Sequence, residues 1–265
     1  VYDQILATIR TMNFEQYRLH IAGAPSIMVQ LKDSIYEDLR NLIPFVVLVV
    51  VITLFLAFRS SGGVILPLLT VVIASVWTIG LMAFLNIQLT MVSTAIPVIL
   101  ISVGSAYGIH FISHYYDTLA EEGPVYDRES HARVIFHTLR KIGLPVFLAG
   151  MTTMAGFGSL ATSAIIPMRE SGIFLAFGVL VAIVVALTMI PAILLARKTS
   201  LRRPHRKSRQ HSLMDRFLLS YYERVTCHHI RNLVITAVLI IISIIGLSRI
   251  IIDTNMIGNF RKNTP

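Results

Sequence analysis

A chain of 265 residues that is 55% hydrophobic and only 14% charged, with a mean hydropathy of +0.72, is not an ordinary soluble domain; those average about 45–50% apolar and about 25% charged. Its net charge of +9 raises the question of nucleic acid, but ten Lys and Arg residues are gathered between Arg197 and Arg231, which indicates membrane topology instead. A single cysteine, Cys227, excludes an intrachain disulfide and a cysteine-cluster metal site.

The first 41 residues carry both signs of charge and ordinary polarity. YRLHIAG (17–23) reads as a short strand ending in a glycine turn. Pro25 and Ser26 open an amphipathic helix with Ile27, Leu31, Ile35 and Leu39 on one side and Asp33, Glu37, Asp38 and Arg40 on the other. This helix is expected to run almost directly into the membrane, as the tail of an external domain.

A helix needs roughly 20 apolar residues to cross a bilayer. Six segments qualify: 42–58, 64–84, 90–113, 144–164, 172–196 and 231–252. The loop 197–230 is placed in the cytoplasm by its basic residues. The turn SSGG (60–63) is then a tight cytoplasmic hairpin, and 85–89 is a short external turn without Lys or Arg. Loop 114–143, with Arg128, Arg133, Arg140 and Lys141, falls inside. A helix is expected there from about 126, with Val134, Ile135 and Leu139 available to a membrane surface. The expected division is 1–41, external tail; 42–196, five-helix bundle; 197–230, cytoplasmic loop; 231–252, a further transmembrane helix; 253–265, the start of a second external domain. The fold class is an all-α polytopic membrane protein with a short α/β tail. The chain begins at Val1 and no signal peptide is visible, so it reads as a piece of a longer protein.

The third segment ends in SVGSAYGIHFISHYYD (102–117), where Ser102, Ser105, Tyr107 and His110 lie at a depth expected to be hydrocarbon. Polar side chains there are costly and face a partner or a water-filled path. His110 falls four residues after Ala106, on nearly the same helix face, and histidine is the side chain that titrates near neutral pH. Tyr107, His110, Ser105 and Ser102, with Thr152 and Thr153 of the next span, are the candidate proton relay or polar pathway. His110 and His114 have the spacing of a metal-ligand pair, but no third ligand is evident and no metal or other cofactor is expected. Gly104, Gly108 and Gly156 are candidates for close helix packing. Pro97 is the deepest of the span prolines and a candidate kink. No nucleophile–base–acid set, HExxH, GxSxG or phosphate loop is present, so the chain is not expected to be an enzyme.

TTMAGFGSLATSAIIPMRESGIFLAFGVLVAIVVALTMIPAILL (152–195) resembles the fifth and sixth spans of RND-superfamily permeases, most closely the MMPL and hydrophobe-exporter branch with its sterol-sensing-type bundle. The matching features are Thr152–Thr153, Gly156–Phe157, Ser159–Leu160, Met168 with Gly172, Gly178, and Leu187–Thr188 followed by Pro191–Ala192. The tail RIIIDTNMIGNFRKNTP is similar to the family's re-entry into a second external domain. The resemblance covers essentially the whole chain and implies the second to seventh spans of a twelve-span protein. It also implies an Asp-Tyr pair in the fourth span as the proton-carrying site. This chain aligns on Tyr107 and Ser113 but has Ala106 at the acidic position, His114 where Arg is usual and Tyr116 for a second basic residue. The implied activity is proton-driven export of hydrophobic or lipid-like compounds across the cytoplasmic (inner) membrane. Implied partners are membrane lipids, an amphipathic substrate and the remaining half of the chain, with room for a homo-oligomer; nucleic acid is not among them. A lipid-sensing or sterol-sensing-type regulator is the alternative, and a protein-translocation accessory factor a third.

Overall fold

The computed structural model describes residues 24–122, 127–196 and 228–247, with Tyr221 and Arg249 as isolated positions. The segment 17–23, expected as a strand, lies outside the described residues, as does most of the basic loop. The chain divides into two units, Val1–Pro204 and His205–Pro265.

In the first unit, α1 (Ala24–Phe58) is one uninterrupted helix of 35 residues. The amphipathic segment and the first membrane segment are therefore continuous. At 1.5 Å per residue such a helix is about 50 Å long, more than the roughly 30 Å hydrocarbon core, so its charged N-terminal part stands clear of the bilayer. The chain reverses at Arg59, which has φ 48. Ser60 then caps α2 (Ser61–Phe84), its Oγ accepting from the Gly63 amide at 3.2 Å. SSGG is glycine-rich for a steric reason: a Cβ on Gly63 would sit 2.5 Å from Phe58 Cβ.

The turn after α2 closes through Asn86 (φ 54) and a reciprocal Thr90–Ser93 pair, in which the Thr90 amide donates to Ser93 Oγ at 2.6 Å. That turn delays α3 (Ala95–Glu122), which starts five residues after the start of the apolar segment 90–113. Pro97 consequently falls in the first turn of α3, where its missing N–H would have had no intrahelical acceptor; it is not a mid-span kink. After Asp127, whose carboxylate caps the next helix by accepting from the Ser130 amide at 3.3 Å, α4 runs from Arg128 to Gly158. The hydrogen bonds from Ser130 hold the Asp127 carboxyl below its ordinary range. A 3-10 turn (Ser159–Thr162) leads to α5 (Ile166–Ala196). Val134 and Ile135 are buried in the bundle, so that side of α4 meets protein and not a membrane surface.

Helix α5 is apolar all the way round and is the central element, packing against α2, α3 and α4; a helix without a polar face is stable only when surrounded. Val179, Ala182, Ala186 and Ile190 are fully buried along it. Close approach depends on small residues. Gly104 of α3 lies against Val71 of α2 and Ala182 of α5, and Gly108 lies directly on the Pro67 backbone. Helix α1 contacts α2 and α3 but leaves most of its surface exposed.

In the second unit, α6 (His229–Leu247) is described on its own and is exposed throughout. All six helices are long and apolar enough to cross a membrane, and no strand occurs among the described residues. The architecture is an all-α, multi-pass membrane protein.

Candidate functional site

Helices α3 and α4 run antiparallel and leave a groove of about 710 Å³ between them. Each helix lines it with every fourth residue: Ser102, Ala106, His110 and His114 from α3, and Thr153, Ala149, Pro145 and Lys141 from α4. A four-residue period keeps one helix face pointing in a nearly constant direction, so the spacing alone builds a continuous wall. One end carries hydroxyls and the other carries His114 and Lys141. Ala106 stands midway, half-buried, and leaves the centre of the wall without a charge.

The predicted residues divide around this groove. Tyr107 lines it with only 5% of its surface exposed. Its Oη points at Gly150, where a Cβ would come within 3.5 Å. Thr153 approaches that hydroxyl, but gives its own proton to the Ala149 carbonyl at 3.0 Å, and Tyr107 Oη completes no hydrogen bond. Ser102 and His110 are exposed along the wall. Ser105 is buried and donates to the Ser102 carbonyl at 2.9 Å, away from the groove lining. Thr152 is exposed and also donates to the Ala149 carbonyl, at 2.7 Å. Gly104 and Gly108 turn toward α2 and α5, and Gly156 has nothing within 4 Å of the position a Cβ would take. Among the described residues no three His, Cys, Asp or Glu side chains converge on a point that would hold a metal.

Lys141, Pro145 and Ala149 line the groove as well, although the sequence does not mark them as pathway residues. Their four-residue spacing with Thr153 was the available signal. Pro145 also removes the hydrogen bond that the Lys141 carbonyl would otherwise receive within α4. Lys141 Nζ lies 3.9 Å from Glu121 Oε2 of α3 across the mouth of the groove; both are solvent-accessible, so this pair contributes little stability.

Beyond that mouth a second polar cluster ties three elements together. Tyr115 Oη and His131 Nε2 are 2.9 Å apart, and both residues are buried. Ser60 Oγ and Tyr116 Oη are also 2.9 Å apart, with Phe58 and Tyr115 flanking the Tyr116 ring. The cluster joins the α1–α2 turn to α3 and α3 to α4. Tyr115→Phe keeps the ring packing but leaves His131 Nε2 buried without that partner, so a loss of about 1–3 kcal/mol is expected. A lowered thermal midpoint in detergent checks it, and an unchanged midpoint would show that His131 finds its partner elsewhere.

Comparison with known proteins identifies the family. The model of the MMPL family matches residues 1–228. A Methanocaldococcus jannaschii protein named as a membrane protein, MJ1562, is 31% identical over 175 residues, 66% of this chain and 44% of its own length. The hopanoid transporter HpnN of Burkholderia multivorans is 29% identical over 147 residues, 56% of this chain and 16% of its own. A Mycobacterium leprae protein named for transport, MmpL4, is 28% identical over 180 residues, 66% of this chain and 18% of its own. The chain thus spans less than half the length of each of these relatives. The 175 residues that make up 44% of the archaeal relative put that protein at about 400 residues in all.

Proposed function

The chain belongs to the MMPL family, and from that premise we propose that its six helices are one half of a two-bundle exporter of hydrophobic or lipid-like compounds, driven by protons. The two relatives named for transport support the activity, and the one named for hopanoids supports the substrate class. The observation that carries the mechanism is the α3–α4 groove, which lines up Ser102, Tyr107 and His110 in a largely apolar segment. A proton path through a membrane needs closely spaced groups that can give and take protons, one of them titrating near neutral pH. His110 serves as the proton carrier here, in the place of the carboxylate that Ala106 lacks. Tyr107 and Ser102 extend the path toward the hydroxyl end, and His114 with Lys141 opens it at the other.

In this reading residues 197–230 are cytoplasmic, 1–41 and 253–265 are extracytoplasmic, and the protein sits in the cytoplasmic (inner) membrane. Residues 42–196 form the bundle that holds the path. The external domains select the substrate, and the chain catalyses no covalent chemistry.

The test is reconstitution of the full-length protein in proteoliposomes holding a pH-sensitive dye and a fluorescent phospholipid analogue. An imposed proton gradient should accelerate movement of the analogue, and the analogue should increase dye-reported proton flux. Ala106 favours a second reading, a lipid-sensing regulator that pumps nothing. Saturable binding of the analogue with no gradient-dependent movement would establish that reading and remove the first.

A further inference from the structure

We propose that the outer face of α4, near its N-terminal end, binds the headgroup of an acidic phospholipid through Arg133 and Arg140. The site stands apart from the proton path. It rests on the reading above only for the leaflet involved, the cytoplasmic one.

Depth sets the frame. Helix α4 has 31 residues, about 46 Å at 1.5 Å per residue, against a hydrocarbon core of roughly 30 Å. The stretch from Arg140 to Gly158 alone covers about 27 Å, enough to fill that core. Arg140 therefore stands at the hydrocarbon boundary. Arg133 is two turns or about 10 Å further out, at headgroup level. One stripe runs through both zones. Arg133, Phe136, Arg140, Leu144, Phe147 and Met151 repeat at three- and four-residue spacing and share a helix face, and all of them are exposed. The opposite face of α4 is buried in the bundle. The stripe is cationic at the outer end and apolar further in, the order in which a phospholipid presents its phosphate and its chains.

The general excess of basic residues that topology requires does not explain this face. Phe136 is 67% exposed between the two arginines. A ring left in water there is unfavourable, and the glycerol and upper acyl carbons of a seated lipid cover it. Arg140 makes no ion pair with any described residue. Arg133 lies 3.9 Å from Glu129 with both side chains exposed, a pair weak enough for a phosphate to replace the carboxylate. Lys141, next along the chain but turned into the groove, is matched by Glu121 instead.

Chemistry selects the lipid. A guanidinium fork binds two phosphate oxygens at once. Phosphatidylcholine brings its own cation beside its phosphate, whereas phosphatidylglycerol leaves its negative charge unmatched. A face with two arginines against one glutamate favours the second. A lipid bound there fixes the depth of α4 in the bilayer, and with it the mouth of the groove at Lys141.

The experiment uses the full-length protein in detergent. Native mass spectrometry compares its affinity for phosphatidylglycerol and for phosphatidylcholine, and the first should bind more tightly. Because residues 197–230 are also basic, a phosphatidylglycerol with a photoreactive headgroup locates the site, and labelling should fall between 133 and 147. Arg140→Gln should weaken phosphatidylglycerol binding about 5-fold, and Arg133→Gln with Arg140→Gln about 25-fold, from the attraction of each cation to an acidic lipid surface. Arg169→Gln, an exposed arginine at the other end of the bundle, should leave it unchanged. Both α4 arginines are exposed, so thermal midpoints should stay equal. Equal affinity for the two lipids, labelling confined to 197–230, or undiminished binding by the double variant would each overturn the proposal. Displacement of the lipid by millimolar inorganic phosphate would overturn it too, by showing a site for the free anion. Gradient-driven movement is measured separately. Its absence with phosphatidylglycerol binding intact would remove the transport reading and leave this site standing.

Discussion

Gly108→Ala is expected to destabilise the bundle by about 1–3 kcal/mol, at the upper end of the range for inserting a methyl group into a packed core. The Cβ it adds would lie 2.7 Å from both Cα and Cβ of Pro67. The obstacle is the backbone of a neighbouring helix at a ring-locked residue, so no rotamer change relieves it. Either α2 and α3 separate, opening contacts along both, or α3 rotates and carries the Tyr107–His110 face with it. Gly156→Ala is the matched control, because its Cβ would meet nothing within 4 Å. Replacing an open helical glycine gains about 0.5–1 kcal/mol from backbone entropy. Thermal unfolding in detergent should therefore move in opposite directions for the two variants. Equal midpoints would mean that the α2–α3 contact is not the tight one.

His110→Ala should reduce gradient-driven movement of a lipid analogue by about 100-fold, the low end of what a positioned proton-transfer group contributes. Stability should stay within about 0.5 kcal/mol, as for other exposed positions without a structural partner. Tyr107→Phe separates the hydroxyl from the ring. Because Tyr107 Oη completes no hydrogen bond in the bundle, losing it disrupts no packing, and any fall in coupled transport belongs to the proton path. Ala106→Asp in the His110→Ala background is the complementary experiment. It places a carboxylate one turn away on the same wall and should restore part of the coupling. A mild His110→Ala defect would place the proton-carrying group outside this groove.

The Tyr115→Phe variant asks what holds the far end of the groove wall in place, since Tyr115 and His131 join α3 to α4 just beyond His114 and Lys141.

The six membrane helices were legible because crossing a bilayer demands about 20 consecutive apolar residues, a property of local composition. The SSGG hairpin was legible for a similarly local reason, the crowding of Gly63 against Phe58. The family was legible in the run 152–195, where many specific positions match together. Helix ends were less so. The Thr90–Ser93 turn moved the start of α3 from 90 to Ala95 and put Pro97, a candidate kink, into the first helical turn, a capping effect that hydropathy does not register.

The amino-acid sequence by itself determined that six of the described segments are long and apolar enough to cross a membrane, and which residues on α3 are polar. Only the tertiary structure decided which way each face points. Gly104, Gly108 and His110 lie within seven residues of one another, yet the two glycines turn to α2 and α5 and the histidine to the groove. It likewise took Val134 and Ile135 into the core and joined His131 to Tyr115. The physical reason is that a membrane helix apolar on most sides has no solvent to orient it. Its rotation is set by the shapes of the helices beside it, here a glycine that admits Pro67 and an α5 that must be buried all round.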